Sequence, residues 1–127
     1  MAQFNYDFSY EPPAPVIKIG LGNPDDDRPP LRVQALIDSG SDATLIPLAM
    51  LQQISVYSGE QVSFRGVTGG STIADAYRVV IHMPVGISYG IRAIATRGSN
   101  EIILGRDVLN QWRITLDGPG EIVEIQA

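Results

Sequence analysis

Short apolar segments separated by turn-forming residues run through most of this chain, and their spacing constrains its fold more than any other feature. Glycine, proline and acidic turn formers interrupt the apolar segments about every ten residues, which leaves little room for long helices. Short helices are predicted at 47–54 and 107–112, the first because Pro47 suits a first helical turn. The predicted strands are 16–21, 31–37, 61–67, 71–83, 87–95, 101–104, 113–117 and 122–125. This pattern predicts an all-β barrel or sandwich with one or two short helices.

Length and composition predict one soluble domain. A chain of 127 residues with 44% hydrophobic residues fits a single core. A net charge of −5 and scattered lysines and arginines argue against a nucleic-acid partner. The absence of cysteine excludes disulfides, a thiol nucleophile and a cysteine-based zinc site. No apolar run reaches the roughly 20 residues of a membrane span, and no signal peptide is recognisable, so a cytoplasmic location without membrane contact is expected.

The first 15 residues differ in composition from the rest, and we predict an extended N-terminal tail at 1–15 followed by a single lobe at 16–127. Three prolines in this segment disfavour a helix. Its aromatic residues alternate with other residues, so they also fit one face of a strand, in which case part of the tail would dock on another surface. These aromatic residues are Phe4, Tyr6, Phe8 and Tyr10.

The clearest candidate for chemistry is Asp38-Ser39-Gly40, which directly follows the apolar strand 31–37. The strand would deliver a carboxylate from an apolar interior, and Gly40 allows a close approach of the backbone. Taken alone, an Asp-Ser-Gly tripeptide is more often an ordinary turn in which the aspartate caps its own backbone. A functional interpretation therefore needs a second segment.

That second segment is Ile103-Leu104-Gly105-Arg106-Asp107, in which an arginine follows a short buried strand and a glycine turns the chain into a helix. Together with Leu36-Ile37-Asp38-Ser39-Gly40-Ser41-Asp42, it gives the chain the paired segments of a known family. Over residues 16–116 the chain resembles the retropepsin-like aspartic proteases. The resemblance implies a closed or partly closed β-barrel, a two-fold dimer and hydrolysis of polypeptide substrates without a metal or cofactor.

The resemblance also implies a role for individual residues. Asp38 corresponds to the catalytic aspartate, and Ser39 to the residue that locks the two active-site loops together across the dimer. Gly40 corresponds to the glycine whose carbonyl binds the substrate backbone. Asp42 corresponds to an acidic residue that contacts substrate and forms an ion pair with Arg106. The mobile flap over the substrate corresponds to Gly66, Val67, Thr68, Gly69 and Gly70.

A homodimer is expected because the chain has only one such aspartate loop. Hydrolysis by carboxylates needs two of them about 3 Å apart, sharing one proton. A two-fold axis beside Asp38 would supply the second. In the same loop, the Ser41 hydroxyl is expected to donate a hydrogen bond to the outer oxygen of Asp38.

Two departures from the family affect this interpretation. Ala43 stands where retroviral members usually have a second acidic residue, so polar contacts with substrate beyond its backbone are expected to be weaker. The segment 114–125 is predicted to form its own hairpin where the family has a single short terminal strand. The way in which two chains pair is therefore left open.

Three other interpretations compete with this one. Gly86-Ile87-Ser88-Tyr89-Gly90 matches the nucleophile elbow of serine hydrolases, with His82 as base, but the following residues alternate like a strand where the elbow needs a helix. Asp25-Asp26-Asp27 lacks the ligand spacing of a calcium loop. A dimer of the same fold that binds peptides or assembles partners without cleaving them is the remaining alternative.

Overall fold

The computed structural model describes residues 1–57, 59–65 and 70–126, with only the backbone of Phe64 and Arg65. It confirms the all-β prediction. Two short helices, α1 Leu48–Gln53 and α2 Arg106–Leu109, interrupt a succession of strands. The strands are β1 Ala2–Asn5, β2 Val16–Gly22, β3 Leu31–Ile37, β4 Leu45–Pro47, β5 Glu60–Arg65, β6 Ser71–His82, β7 Ser88–Thr96, β8 Ile102–Leu104, β9 Arg113–Asp117 and β10 Ile122–Gln126. None of the helices in these residues is long and apolar enough to cross a membrane.

Six of the strands close into a barrel, which confirms the predicted architecture. The order runs β2-β3-β8-β4-β7-β6, and a further antiparallel pairing of β6 with β2 closes the ring. The pairs β3–β8 and β4–β7 are parallel, whereas the other neighbours are antiparallel. Strand β5 extends the sheet beyond β6 as a hairpin arm.

The barrel is stable because alternate residues of its strands fill one interior. In β6, Tyr77, Val79 and Ile81 are buried, while Arg78 between them is exposed. Full burial of one such aliphatic side chain contributes roughly 1.5–3 kcal/mol. The large apolar side chains with almost no exposure, to which both helices and β10 also contribute, are Ile17, Leu21, Ile46, Leu51, Val79, Ile81, Ile102, Leu104, Val108, Val123 and Ile125.

A second, three-stranded sheet joins the two ends of the chain. Its order is β1-β10-β9, with antiparallel pairing throughout. Phe4 lies opposite Val123 in this sheet and, like Tyr6, packs against the core. Part of the alternating aromatic segment is therefore a docked strand, and the predicted C-terminal hairpin is present as β9 and β10. The division of the chain into a tail and a lobe stays a prediction.

The segment between β1 and β2 lies against the two strands that carry the candidate site. The Ile37 N–H donates to the Pro15 carbonyl at 3.1 Å, next to the end of β3. The Tyr10 hydroxyl donates to the Glu101 carboxylate, just before β8. This hydrogen bond, together with partial burial, raises the pKa of Tyr10 to about 12. The N-terminal segment is thus tied to both β3 and the start of β8.

Candidate active site

Parallel pairing of β3 with β8 brings the two predicted segments together. The register places Leu36 opposite Ile103 and Ile37 opposite Leu104. Past the ends of both strands, the Asp38 N–H donates to the Leu104 carbonyl at 3.1 Å. Because parallel strands end at the same edge of a sheet, the Asp38 loop and the turn into α2 become neighbours. Residues far apart in the sequence thus form one surface.

The Asp38 loop is a tight turn organised by its own aspartate. The Gly40 N–H donates to Asp38 Oδ1 at 2.9 Å, and the Ser41 N–H donates to the Asp38 carbonyl at 3.2 Å. A Cβ atom at Gly40 would lie 3.1 Å from Asp38 Oδ1, which is closer than ordinary contact, so glycine suits this position. The side chains of Asp38 and Ser39 are exposed in the single chain. The carboxylate is therefore held in place and accessible.

Arg106 fastens this loop from the opposite side. Its Nη1 donates to the Ser39 carbonyl at 2.7 Å, and its Nη2 contacts Asp42 Oδ1. Its backbone N–H donates to the Ser41 carbonyl at 2.9 Å. The structure therefore contains the ion pair expected between Arg106 and Asp42. In the single chain this pair lies at the surface, with 42% of the arginine side chain and 64% of the aspartate side chain exposed.

This exposure sets the expected energetics of Asp42 and Arg106. Asp42→Asn removes only the ion pair, so it should lower the free energy of unfolding by less than about 1 kcal/mol. Arg106→Ala also removes the hydrogen bond to the Ser39 carbonyl, and we expect a loss of about 2 kcal/mol. Urea denaturation of both variants measures the difference. Equal losses would show that the ion pair alone accounts for the effect of Arg106.

The most buried polar contact in the site was not predicted from the sequence. Thr44 is fully buried. Its hydroxyl donates to Asp107 Oδ1 at 2.8 Å, and its backbone N–H donates to Asp107 Oδ2 at 3.0 Å. The same hydroxyl accepts the Gly105 N–H at 3.2 Å, and Asp107 Oδ1 also accepts the Val108 N–H at 2.9 Å. The sequence contained two signals for this contact: Thr44 places a hydroxyl in an apolar segment, and Asp107 places an acid in the first turn of a predicted helix.

Gly105 allows this close contact between the two segments. A Cβ atom at Gly105 would lie 2.4 Å from the Ala43 carbonyl oxygen, a distance at which the backbone must move. Glycine is therefore required where α2 begins. The contacts of Thr44, Gly105 and Asp107 form a buried brace beneath the exposed Asp38 loop.

The expectation for Ser41 was wrong. Its hydroxyl donates to the Ala43 carbonyl at 2.7 Å, within the loop, and not to Asp38. A hydroxyl has one hydrogen to donate, so this bond competes with the expected one. Local geometry explains the difference, because the turn after Gly40 brings the carbonyl two residues ahead into reach. Ser41 therefore stabilises the backbone of the loop.

The hairpin predicted to carry the flap is formed by β5 and β6. They pair from Glu60 opposite Ala76 to Arg65 opposite Ser71. Four of the predicted flap residues, Gly66, Val67, Thr68 and Gly69, lie outside the described residues. Gly70 is exposed, and no atom of the described residues lies within 4 Å of a Cβ placed there. The role of this hairpin as a flap stays a prediction.

The features behind the rival interpretations have structural explanations. Ser88 Oγ lies 2.7 Å from His82 Nδ1, but the two residues are opposite each other in the β6–β7 hairpin, and Ser88 begins a strand. That geometry differs from an elbow leading into a helix. In the acidic loop, hydrogen bonds from Arg28 hold the pKa of Asp26 below its usual value. The described residues contain no group of three His, Cys, Asp or Glu side chains placed to hold a metal.

Solved structures similar to this chain share its fold. A retropepsin-like aspartic protease from Rickettsia conorii has a TM-score of 0.71 at 9% identity, over 96% of this chain and 86% of that one. EIAV protease in complex with the inhibitor HBY-793 has a TM-score of 0.58 at 22% identity, over 77% of this chain and 86% of that one. The retroviral protease-like domain of Ddi1 from Leishmania major has a TM-score of 0.55 at 15% identity, over 89% of this chain and 88% of that one.

The sequence of the chain was also compared with protein families and with curated proteins. No curated protein matches the chain. The model of the family described as retroviral aspartyl protease matches residues 11–117, which include the Asp38 loop, the β5–β6 hairpin and the Arg106 turn. This match covers most of the chain, and the same residues form the barrel and the site described above. The chain therefore belongs to the retroviral aspartyl protease family.

Proposed function

We propose that this protein is an aspartic endopeptidase whose active site forms between two copies of the chain. The observation that carries the proposal is the placement of Asp38. Its carboxylate is exposed at the end of β3, while the loop around it is fixed by Arg106 above the buried brace of Thr44, Gly105 and Asp107. A carboxylate that is positioned yet accessible can meet the same group of a second chain.

The chemistry follows from two Asp38 carboxylates that share one proton about 3 Å apart. The ionised carboxylate takes a proton from a water molecule between the pair, and the oxygen of that water forms a bond to the scissile carbonyl carbon. The protonated partner donates its hydrogen to the carbonyl oxygen. When the intermediate collapses, the carbon–nitrogen bond breaks and the leaving amine takes a proton from the dyad.

The surrounding residues would bind the polypeptide. The Gly40 carbonyl and the Asp42 carboxylate lie in the same loop as Asp38, at the end of β3. They would accept hydrogen bonds from the N–H groups of an extended substrate. The β5–β6 hairpin would cover the substrate as a lid, and its loop from Gly66 to Gly70 has the glycine content that such motion needs. Ser39 would meet its counterpart in the partner chain.

A non-catalytic dimer is the second candidate, and one observation favours it. The Asp38 carboxylate accepts the Gly40 N–H and thereby stabilises its own turn, which a purely structural aspartate also does. Peptide binding without cleavage would need the loop and the dimer but not a shared proton. The two candidates differ in whether peptide bonds are broken.

Digestion of casein and of a peptide library by the purified chain tests the proposal. We expect cleavage that a pepstatin-type inhibitor blocks, and a specific activity that falls on dilution because each site needs two chains. Sedimentation at the same concentrations shows whether the loss of activity follows dissociation. Peptide binding without any cleaved product, at concentrations where the chain is dimeric, would support the non-catalytic candidate.

A further inference from the structure

A cavity lies on the outer face of β6 and β7, away from the contacts of Asp38. Its volume is about 420 Å³, within the range of small-ligand sites. The buried side chains of Val56 and Ala76 form an apolar part of its lining. Tyr57 also lines it, with 69% of the residue exposed. The cavity thus offers apolar and aromatic surface to a ligand.

Two arginines dominate one wall of this cavity. Arg78 of β6 and Arg92 of β7 lie directly opposite each other in the antiparallel pair, and both line the cavity. Side chains in such positions have Cβ atoms about 5 Å apart, and like charges there destabilise a sheet. Arg92 is paired with Glu60. Within the described part of the chain, Arg78 has no ion pair or hydrogen bond from its side chain.

The cavity is held open by contacts that do not involve the arginines. Asn23 Nδ2 donates to the carbonyls of Ile54 and Ser55 at 3.1 and 3.2 Å, which fixes the loop after α1. The Val56 N–H donates to the Leu51 carbonyl at 2.9 Å. On the other side of the loop, a Cβ atom at Gly59 would lie 2.7 Å from the Ala76 carbonyl oxygen, so the chain packs tightly onto β6. A ligand would enter a preformed site.

We propose that this cavity binds a carboxylate joined to an apolar group, as in the C-terminal residue of a peptide. The Arg78 guanidinium, helped by Arg92, would hold the carboxylate, because the planar fork matches the two oxygens. Val56, Ala76 and Tyr57 would contact the apolar group. A single negative charge fits better than a phosphate dianion, because Glu60 already pairs with Arg92 and Asp25 also lines the cavity, which leaves Arg78 as the one lining arginine without an ion pair among the described residues. The inference does not depend on protease activity.

Titration of the labelled full-length chain with N-acetylphenylalanine, followed by amide NMR shifts, tests this site. We expect saturable shifts at Val56, Tyr57, Gly59 and Ala76. The neutral N-acetylphenylalaninamide and the dianion phenyl phosphate should bind more weakly. A short peptide ending in phenylalanine should shift the same amides, and its amidated form should not. No shift of these four amides at millimolar ligand would overturn the proposal. Equal binding of the neutral amide, or tighter binding of phenyl phosphate, would also overturn it.

Arg78→Gln provides the matched variant because Arg78 is exposed and its side chain has no hydrogen bond or ion pair with the residues that the structure describes. It should weaken binding of N-acetylphenylalanine at least about tenfold, since a charged hydrogen-bond partner is lost. Its melting temperature should stay level or rise, because the facing like charges are relieved. Arg32→Gln makes the same charge change at an exposed strand position outside the cavity and should leave affinity unchanged. Equal affinity of Arg78→Gln and the unaltered chain would contradict the assignment.

Discussion

An Asp38→Asn variant is expected to lose at least about 10⁴-fold in the rate of peptide cleavage, because both the acid and the base of the dyad are removed together. The amide cannot take a proton from water, and no proton is left for two such side chains to share. Its carbonyl oxygen can still accept the Gly40 N–H, so the loop and the fold should survive. The rate on a single peptide, measured with and without a pepstatin-type inhibitor, gives the comparison.

The matched control is Asp27→Asn, which makes the same chemical change at an exposed aspartate of the loop before β3. It should retain full activity. Circular dichroism, melting temperature and sedimentation of Asp38→Asn should match those of the unaltered chain. Cleavage by folded, dimeric Asp38→Asn at more than trace level would show that Asp38 is not the catalytic residue.

The largest effect on stability is expected from Asp107→Ala, at about 3 kcal/mol. This change leaves the Thr44 N–H and hydroxyl without their acceptor inside the barrel, and an unsatisfied buried donor costs about 1–3 kcal/mol. The Val108 N–H at the start of α2 loses its acceptor as well. Because the brace lies beneath the Asp38 loop, activity should fall more than the folded fraction does. Urea denaturation and kcat/KM measure the two effects.

Asp117→Ala is the corresponding control. Asp117 accepts the Gly120 N–H at 2.9 Å in an exposed turn, so its loss should cost less than about 1 kcal/mol. Thr44→Val tests the same brace from its other side, since it removes the hydroxyl that joins Gly105 to Asp107. If Asp107→Ala and Asp117→Ala destabilise the chain equally, the brace has no special role.

Local sequence signals were sufficient to predict most of the barrel. The predicted bounds of β3 and β9 agree with the structure at both ends, because apolar alternation and neighbouring turn formers both mark them. In contrast, periodicity carries no information about partners. The parallel pairing of β3 with β8, which creates the site, depends on closing a barrel from strands distant in sequence.

The site shows the same division between local and long-range information. That the Asp38 loop, Asp42 and Arg106 lie together was predicted because their residue types and spacing resemble a family. The Thr44–Asp107 brace was missed because a single threonine in an apolar segment does not reveal its acceptor. Ser41 was misassigned because a small hydroxyl can reach several acceptors in a turn, and backbone geometry decides among them. The facing pair Arg78 and Arg92 likewise depends on strand register.

The most direct test of a site shared between two chains is a mixing experiment. A fixed amount of the unaltered chain is combined with increasing Asp38→Asn, at concentrations where both are dimeric and exchange subunits. Random pairing predicts that activity falls to roughly one half at equal amounts and to roughly one tenth at ninefold excess. Excess Asp27→Asn, an active chain, should instead add activity. Activity that stays constant as Asp38→Asn is added would contradict a catalytic site built from two Asp38 residues.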